Sequence, residues 1–173
     1  TVSTAAIGGA GGLLLREWGL LDPLLATGVP HGWSAAVTIG PHELPITVPP
    51  HRPGMMAPRR TVLDALLVDA ARAAGATVLE GTSLRGLRWR DGRVVGLDAT
   101  GSDGDDLEIA AALVVGADGV GSRVARAVGA ETYEQAPSWI SGMYAFVADV
   151  DIVQNELAFG GGHATLAFPT HDD

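Results

Sequence analysis

The stretch LVVGADGVGSRVAR, residues 113–126, decides the fold of this chain. It begins with an apolar, β-branched run that predicts a strand, and it ends with Ser122, Arg123 and Arg126, which open a predicted helix. Between them lies a loop that holds one carboxylate and three glycines, Asp118, Gly116, Gly119 and Gly121. A carboxylate on such a strand-to-helix turn lies where the backbone can approach a ligand closely and where helix amides can face an anion.

Two interpretations of Asp118 follow from this pattern. The carboxylate can accept hydrogen bonds from ribose hydroxyls or lie near a pyrophosphate, as in a nucleotide site. An aspartate before a helix is also a common N-cap or turn-forming residue. The pattern alone does not choose between them.

The chain before this motif alternates helix and strand signals. Apolar spacing predicts a short helix over Leu13–Ala26 and a longer one over Thr61–Ala74 that stops at Gly75, with Thr61 and Asp64 at capping-box spacing. The strand predictions are SAAVTI (34–39), LPITV (44–48), ATVLEG (76–81), two strands flanking Asp91-Gly92, and Leu107–Val115. Beyond Pro137, MYAFVADV (143–150) and HATLAF (163–168) read as strands of a different sheet. Together these elements predict an α/β fold.

A second candidate site lies at the start of the longer predicted helix, in APRRTVLD (57–64). An arginine at a helix N-terminus is unfavourable to the helix dipole, and a solvated arginine is the simplest interpretation. That small penalty suggests that the site requires a cation for another reason, such as an anionic or electron-rich ligand.

Composition excludes several classes of function. The chain of 173 residues has a net charge of −9, and its 11 basic residues are all arginine. An acidic surface argues against nucleic-acid or anionic-membrane partners, and a solvated strand face is the preferred interpretation of the arginines between Arg85 and Arg93. No apolar run approaches the ~20 residues of a membrane span. We therefore expect a small-molecule partner, and the sequence does not predict an oligomeric state.

Cysteine and histidine content point away from metal and thiol chemistry. The chain has no cysteine, which suits a cytoplasmic protein, and its histidines, His31, His42, His51, His163 and His171, show no metal-ligand spacing. We expect each histidine to lie in a loop or at the surface, and we expect no metal site.

The order of APRRTVLD and LVVGADGVGSRVAR resembles the FAD-dependent monooxygenases of the para-hydroxybenzoate hydroxylase type. The resemblance implies part of an FAD/NAD(P)-binding Rossmann-like domain over residues 1–134 and part of an antiparallel β substrate domain over residues 135–173. In this interpretation, residues 33–50 contribute strands to the substrate-domain sheet.

The resemblance also implies the cofactors and the site. FAD is the cofactor, NAD(P)H the reductant, and one oxygen atom of O₂ goes to an aromatic or polyketide-like substrate. The residues near FAD would be Arg60, Leu84, Asp118 and Gly119, with Arg59 and Ser122 as neighbours. No residue is assigned a catalytic role, because the cofactor supplies the reactivity. Ser3 and Thr4 resemble the segment after the ribose-binding acid of this family, although Ala5 stands where relatives often carry His or Arg.

Two family motifs have no counterpart in this sequence. The G-x-G-x-x-G unit with its ribose-binding acid would precede Thr1, and the later Gly-Asp motif would follow Asp173. We therefore expect an internal portion of a longer flavoprotein that binds FAD weakly by itself. A flavin-dependent reductase or halogenase of the same fold, or a non-catalytic α/β module, remain the alternatives.

Overall fold

A computed structural model describes residues 6–32, 34–47, 49, 51–135 and 141–171 of the chain. The chain divides into two compact units, residues 1–76 with 143–173, and residues 77–142. Both units contain helices and strands, which confirms the predicted α/β class. The predictions for Ser3, Thr4, Trp33 and Val48 lie outside the described residues.

Among its described residues, the first unit has three helices and six short strands. The helices are α1 (Gly9–Glu17), α2 (Leu21–Ala26) and α3 (Arg60–Ala73), and the strands are β1 (His31–Gly32), β2 (Ser34–Ile39), β3 (His42–Thr47), β4 (Met55–Met56), β8 (Asn155–Gly160) and β9 (His163–Ala167).

A break at Gly19 divides the helix predicted over Leu13–Ala26 into α1 and α2. Gly19 has φ +71, a left-handed conformation that glycine adopts without strain. Its amide donates to the Arg16 carbonyl at 3.0 Å, and the Leu20 amide donates to the Leu15 carbonyl at 2.7 Å. These two bonds end α1 in a Schellman motif. The prediction of one helix was wrong because the apolar spacing continues through the turn.

A small apolar cluster joins the helices of this unit. Leu24 is completely buried, and it packs in one cluster with Leu15, Leu21, Val29 and Met56. Partly buried side chains at the base of α3 surround this cluster, Val62, Leu63, Leu66 and Leu67 among them. The predicted helix over Thr61–Ala74 is thus confirmed as α3, and its apolar stripe faces this core.

A mixed four-stranded sheet follows the order β3-β2-β8-β9. β2 pairs antiparallel with β3 and parallel with β8, and β8 pairs antiparallel with β9. SAAVTI, LPITV and HATLAF were predicted as strands and supply β2, β3 and β9. The strand β8 was not predicted. MYAFVADV is not a strand, since residues 143–150 form no ladder with any described residue and Met143 is fully exposed.

One face of this sheet is apolar and half exposed. Register places Leu44, Val37, Leu157 and Leu166 in a row across all four strands, and Ile39 lies opposite Phe159 in the next row. Leu44 and Leu166 are about half exposed. We call these six residues the apolar sheet face. The opposite face carries Thr38, Glu43 and other polar or small residues.

The second unit is a three-stranded meander followed by a loop and a short helix. Its strands are β5 (Ser83–Arg90), β6 (Arg93–Thr100) and β7 (Asp106–Ala110), in the order β5-β6-β7, and its helix is α4 (Arg123–Ala127). Asp91 and Gly92 both have positive φ, as a type I′ hairpin turn requires, which confirms the predicted hairpin. At Gly96 of β6 the strands approach so closely that a Cβ would overlap the Ile109 carbonyl oxygen.

The arginines of the meander are paired within the sheet. Arg85 donates to Asp106 and Arg88 to Glu108, and Asp98 lies 3.6 Å from Arg88. The hydrogen bond from each arginine to its carboxylate, above all, raises the pKa of that guanidinium. These local pairs agree with a solvated strand face rather than an anion-binding patch.

One predicted strand of this unit is absent from the described structure, and another is shorter than predicted. Residues 77–80 form no ladder, and the strand predicted over Leu107–Val115 ends at Ala110. Leu113 and Val115 are about three-quarters exposed. A strand exists only through hydrogen bonds to a neighbour. The last such bond after β7 runs from the Ala111 amide to the Val95 carbonyl at 3.0 Å, and no described residue forms a ladder with residues 77–80 or 113–115. The prediction over residues 76–81 was therefore wrong, and the prediction over Leu107–Val115 is confirmed only for its first part, although both sequences carry strand propensity.

Candidate functional site

The Asp118 carboxylate is the centre of a hydrogen-bonded turn at the start of α4. The Ser122 hydroxyl donates to Asp118 Oδ1 at 2.5 Å, and the Arg123 amide donates to Oδ2 at 2.6 Å. The Val124 amide reaches the same oxygen at 3.3 Å. The Ser122 hydroxyl oxygen in turn accepts from the Ala125 amide at 2.9 Å. Asp118 and Ser122 together therefore cap the first three amides of α4.

These donors fix the charge of Asp118. The Ser122 hydroxyl, and after it the amides of Arg123 and Val124, lower the pKa of Asp118 below its ordinary value. The exposed carboxylate is therefore ionised near neutral pH and acts only as an acceptor. Such a group suits a hydroxyl donor of a sugar or polyol, whereas a directly adjacent diphosphate would be repelled. Of the two interpretations of Asp118, the structure shows the helix cap and leaves room for the hydroxyl contact.

The glycines around Asp118 have different roles. Gly119 has φ +80, and nothing lies within 4 Å of a Cβ built there, so glycine is needed for conformation rather than for packing. A Cβ at Gly116 would come within 2.8 Å of the Val124 Cβ, so this glycine lets the loop approach α4. The loop thus presents an open backbone on the side of Gly119.

Arg60 is the first residue of α3, and a carboxylate holds its side chain. Arg60 Nε and Nη2 donate to the two oxygens of Asp64 at 2.9 and 3.0 Å, a bidentate pair one turn along the helix. The predicted capping box between Thr61 and Asp64 is wrong. The N-cap is Arg59, it makes no side-chain cap, and Asp64 binds Arg60 instead.

Arg59 directs its side chain to an aromatic ring. Its guanidinium carbon lies 3.9 Å from the ring centroid of Phe146, a cation–π geometry. The Tyr144 ring meets Phe146 edge-on, with 5.9 Å between centroids. The aromatic partner of Arg59 is thus supplied by a segment 87 residues further along the chain.

Leu84 lies near the beginning of β5, where its side chain is half-buried and its register partner is Ala99. In the order β5-β6-β7, β5 is an edge strand. An edge strand presents backbone groups that its own sheet does not pair. The pairing register also shifts between Leu84 and Gly86, so a bulge follows directly after Leu84.

The structure brings some of the predicted site residues together. Asp118, Gly119 and Ser122 share one loop of the second unit, and Leu84 belongs to the meander of the same unit. Arg59 and Arg60 lie in the first unit. Within the described ranges, no three His, Asp or Glu side chains gather as possible metal ligands.

Sequence reasoning missed a contact at the start of α3. His171 was expected only as a loop or surface residue, yet both of its ring nitrogens are bonded, to the Arg59 amide and to the Thr27 hydroxyl. Thr170 donates to the Ala57 carbonyl at 2.6 Å. No spacing in the sequence could reveal contacts between residues more than 100 positions apart.

Comparison with known proteins gives matches over most of the chain. A family model described as "FAD binding domain" matches residues 13–164, a span that includes both APRRTVLD and the Asp118 loop. Protein FixC of Salmonella typhi is 43% identical over 70 residues, which are 40% of this chain and 15% of that protein.

Solved structures share the fold at low identity. PqsL of Pseudomonas aeruginosa, described as a probable FAD-dependent monooxygenase, matches 99% of this chain at 19% identity with a TM-score of 0.72, and the match covers 48% of that structure. The myxobacterial chondrochloren halogenase CndH, an FAD-dependent halogenase, matches 64% of this chain at 19% identity with a TM-score of 0.56, covering 27% of that structure. The chain thus spans about half the length of PqsL and far less of FixC. Among the described helices, none combines the length and apolar character that crossing a bilayer requires.

Proposed function

Since this chain belongs to the FAD binding domain family, we propose that it forms part of an FAD-dependent oxidoreductase. The reaction we propose is that of a monooxygenase, in which NAD(P)H supplies electrons and O₂ supplies the oxygen atom. The proposed substrate is an aromatic or polyketide-like small molecule.

One observation carries the proposal. The family match extends over residues 13–164 and so includes the two motifs that the sequence suggested for FAD. The fold, over nearly the whole chain, is also that of a protein described as a probable FAD-dependent monooxygenase. Both findings favour FAD over other nucleotides, and the choice of reaction follows the second of them.

The Asp118 loop has the chemistry to hold part of FAD. An ionised carboxylate fits the hydroxyl groups of the ribityl chain or the ribose, and the open backbone at Gly119 allows close approach. Ser122 orients the carboxylate through its 2.5 Å hydrogen bond. In this proposal Asp118 accepts a hydroxyl hydrogen while it remains the cap of α4.

Each remaining predicted residue has chemistry that fits FAD. The edge position of Leu84 suits a backbone contact to adenine, because an adenine edge carries both donors and acceptors. Asp64 fixes the guanidinium of Arg60, so the side chain is oriented before a ligand arrives. Arg59 would act beside it. FAD, when bound, supplies the redox chemistry, and these residues supply position and charge.

The apolar sheet face suits the proposed substrate class. Six apolar side chains lie on one side of four strands, and several of them are about half exposed. A flat aromatic molecule would cover such a surface, and hydrophobic burial contributes about 25 cal/mol for each Å² removed from water. We propose this face as the substrate-contacting surface.

A halogenase is the second candidate. The observation that favours it is the fold shared with the chondrochloren halogenase CndH. Halogenation consumes a halide ion along with O₂, whereas hydroxylation does not. Halide dependence of product formation therefore separates the two reactions.

The test uses the protein expressed from the full reading frame that encodes this chain. We expect FAD to bind, and we expect NAD(P)H oxidation to require O₂ and to speed up with a suitable aromatic compound. Turnover without O₂ uptake would favour a reductase, and halide incorporation would favour the halogenase. Failure to bind FAD would contradict every one of these reactions.

The site is tested with a matched pair of variants. Asp118→Ala removes the proposed hydroxyl acceptor, and Asp103→Ala removes an exposed aspartate from a turn of the same unit. We expect Asp118→Ala to raise the Kd for FAD by about ten-fold or more, the order expected for a hydrogen bond to a charged group, and Asp103→Ala to leave it unchanged. Equal Kd values, with both variants folded by circular dichroism, would remove Asp118 from the proposed site.

A further inference from the structure

We propose that His171 is a positioning residue that holds the start of α3, and with it Arg60, through its neutral Nε2–H tautomer. The inference rests on the proposed function in one respect, namely that Arg60 lies beside FAD. The hydrogen bonds that define the role of His171 stand independently of the cofactor.

The surrounding hydrogen bonds fix the tautomer of His171. The Arg59 backbone amide donates to Nδ1 at 3.2 Å, so Nδ1 carries no hydrogen. The Thr27 hydroxyl donates its only hydrogen to the Leu24 carbonyl at 2.6 Å. Thr27 Oγ1, which lies 2.8 Å from His171 Nε2, must therefore accept a hydrogen from that nitrogen. One neutral tautomer satisfies all three bonds.

The ring joins the ends of two helices. Thr27 is the C-cap of α2, and Arg59 is the N-cap of α3. The hydrogen on Nε2 points toward the carbonyl end of α2, which carries partial negative charge. The lone pair of Nδ1 points toward the amide end of α3, which carries partial positive charge, so the imidazole dipole is oriented favourably toward both helices. Thr170 adds a second link, because its hydroxyl donates to the Ala57 carbonyl.

This link replaces a cap that α3 lacks. Arg59 makes no side-chain cap to the helix, and its guanidinium stacks on Phe146. The backbone that leads into α3 is therefore held by two residues far away in sequence, because His171 accepts from the Arg59 amide and Thr170 donates to the Ala57 carbonyl. Because Arg60 follows directly, loss of the His171 bond would loosen the position from which the Arg60 side chain extends.

Protonation of His171 would break the link. A second ring hydrogen on Nδ1 would face the hydrogen of the Arg59 amide, and the acceptor would be lost. The charged side chains of the joined elements are Asp22 on α2, and Arg59, Arg60 and Asp64 at the start of α3. Of these, Asp64 is bound to Arg60. We therefore expect the link to weaken toward acid pH.

The first experiment needs no cofactor. Long-range ¹H–¹⁵N NMR of the chain identifies the tautomer, and hydrogen exchange measures protection of the Arg59 amide between about pH 8 and pH 5, the range over which histidines usually titrate. We expect the Nε2–H tautomer and protection that falls toward pH 5. The Nδ1–H tautomer, or protection that does not fall at a pH where the same NMR spectra show the ring protonated, would overturn the inference.

Variants separate positioning from general stability. His171→Ala removes both bonds, and we expect it to reduce protection of the Arg59 amide by roughly 3- to 10-fold. His171→Gln keeps one acceptor and one donor but does not titrate, so it should restore much of the protection and abolish its pH dependence. His163→Ala is the control, because that histidine is exposed and its ring Nδ1 lies 3.4 Å from the Gly161 carbonyl oxygen of its own turn. An equal effect of His163→Ala would contradict the assignment.

FAD binding by the full-reading-frame protein completes the test. We expect His171→Ala to raise the Kd for FAD, His171→Gln to restore it, and the wild-type Kd to increase toward acid pH. If FAD binds equally to wild type and His171→Ala, the positioning role is wrong and the proposed function stands. If neither protein binds FAD, the proposed function fails, while the NMR result still decides the link at Arg59.

Discussion

Replacement of Leu24 by alanine tests the core on which the helices of the first unit depend. Leu24 is completely buried among Leu15, Leu21, Val29 and Met56. Leucine-to-alanine changes at such sites cost about 2–5 kcal/mol, and the cost rises with the cavity that remains. Here the cluster is small, it includes a flexible methionine, and the partly buried leucines of α3 that pack against it can move inward. We therefore expect a loss of about 2–3.5 kcal/mol in the free energy of unfolding.

Urea denaturation followed by circular dichroism measures this loss, and a second leucine provides the control. Leu14 lies on α1 but is 48% exposed. Leu14→Ala should change the free energy of unfolding by no more than about 0.5–1 kcal/mol, since surface substitutions rarely do more. A loss below about 1 kcal/mol for Leu24→Ala, or equal losses for the two variants, would refute the packing described for these helices.

Three further predictions concern the second unit. Ser122→Ala should destabilise α4 by about 0.5–2 kcal/mol and accelerate hydrogen exchange of the Ala125 amide, whereas Ser122→Thr, which keeps a capping hydroxyl, should not. Because the pKa of Asp118 is lowered, its cap on α4 is complete above about pH 4 and is lost as the pH falls through the folded-state pKa. Hydrogen exchange of the α4 amides should therefore accelerate at acid pH in the wild type, and this acceleration should be absent in Asp118→Asn. Gly96→Ala should destabilise the meander by at least about 1 kcal/mol in thermal denaturation, because its Cβ overlaps backbone. Gly86→Ala, where a Cβ meets nothing within 4 Å, should not, and equal effects would contradict the close strand approach at Gly96.

Local signals in the sequence predicted local structure well. The apolar spacing of Thr61–Ala74 predicts α3 to within one residue at each end, and Asp91-Gly92 predicts its hairpin turn. Both depend only on residues a few positions apart, so the information lies within the segment itself. The break at Gly19 was missed because leucines on both sides keep helical spacing while one glycine reverses the chain.

Strand predictions failed where the strand depends on a pairing partner far away in the sequence. Residues 76–81 and 113–115 have the composition of strands, yet no described residue pairs with them. The strand β8 was missed for the complementary reason, since its pairing with β2 joins residues 120 positions apart. Strand formation depends on a neighbour, and a single sequence does not identify that neighbour.

The candidate site shows the same division. The loop around Asp118 was predicted together with its helix. Of the two interpretations of the carboxylate, the structure shows the helix cap, and the hydroxyl contact to FAD stays a proposal. The pairing of Arg60 with Asp64 lies within one helical turn, yet the capping-box interpretation chose the wrong partner. The hydrogen bond between His171 and Arg59 joins residues 112 positions apart, and no pattern in the sequence indicated it.

The visible absorption spectrum of the purified protein from the full reading frame tests the central claim most directly. We predict flavin absorption bands that elute with the protein after gel filtration in the presence of added FAD, with about one FAD per chain, and weaker retention in Asp118→Ala than in Asp103→Ala. A colourless protein that takes up no FAD under these conditions would contradict the assignment of an FAD-binding role to this chain.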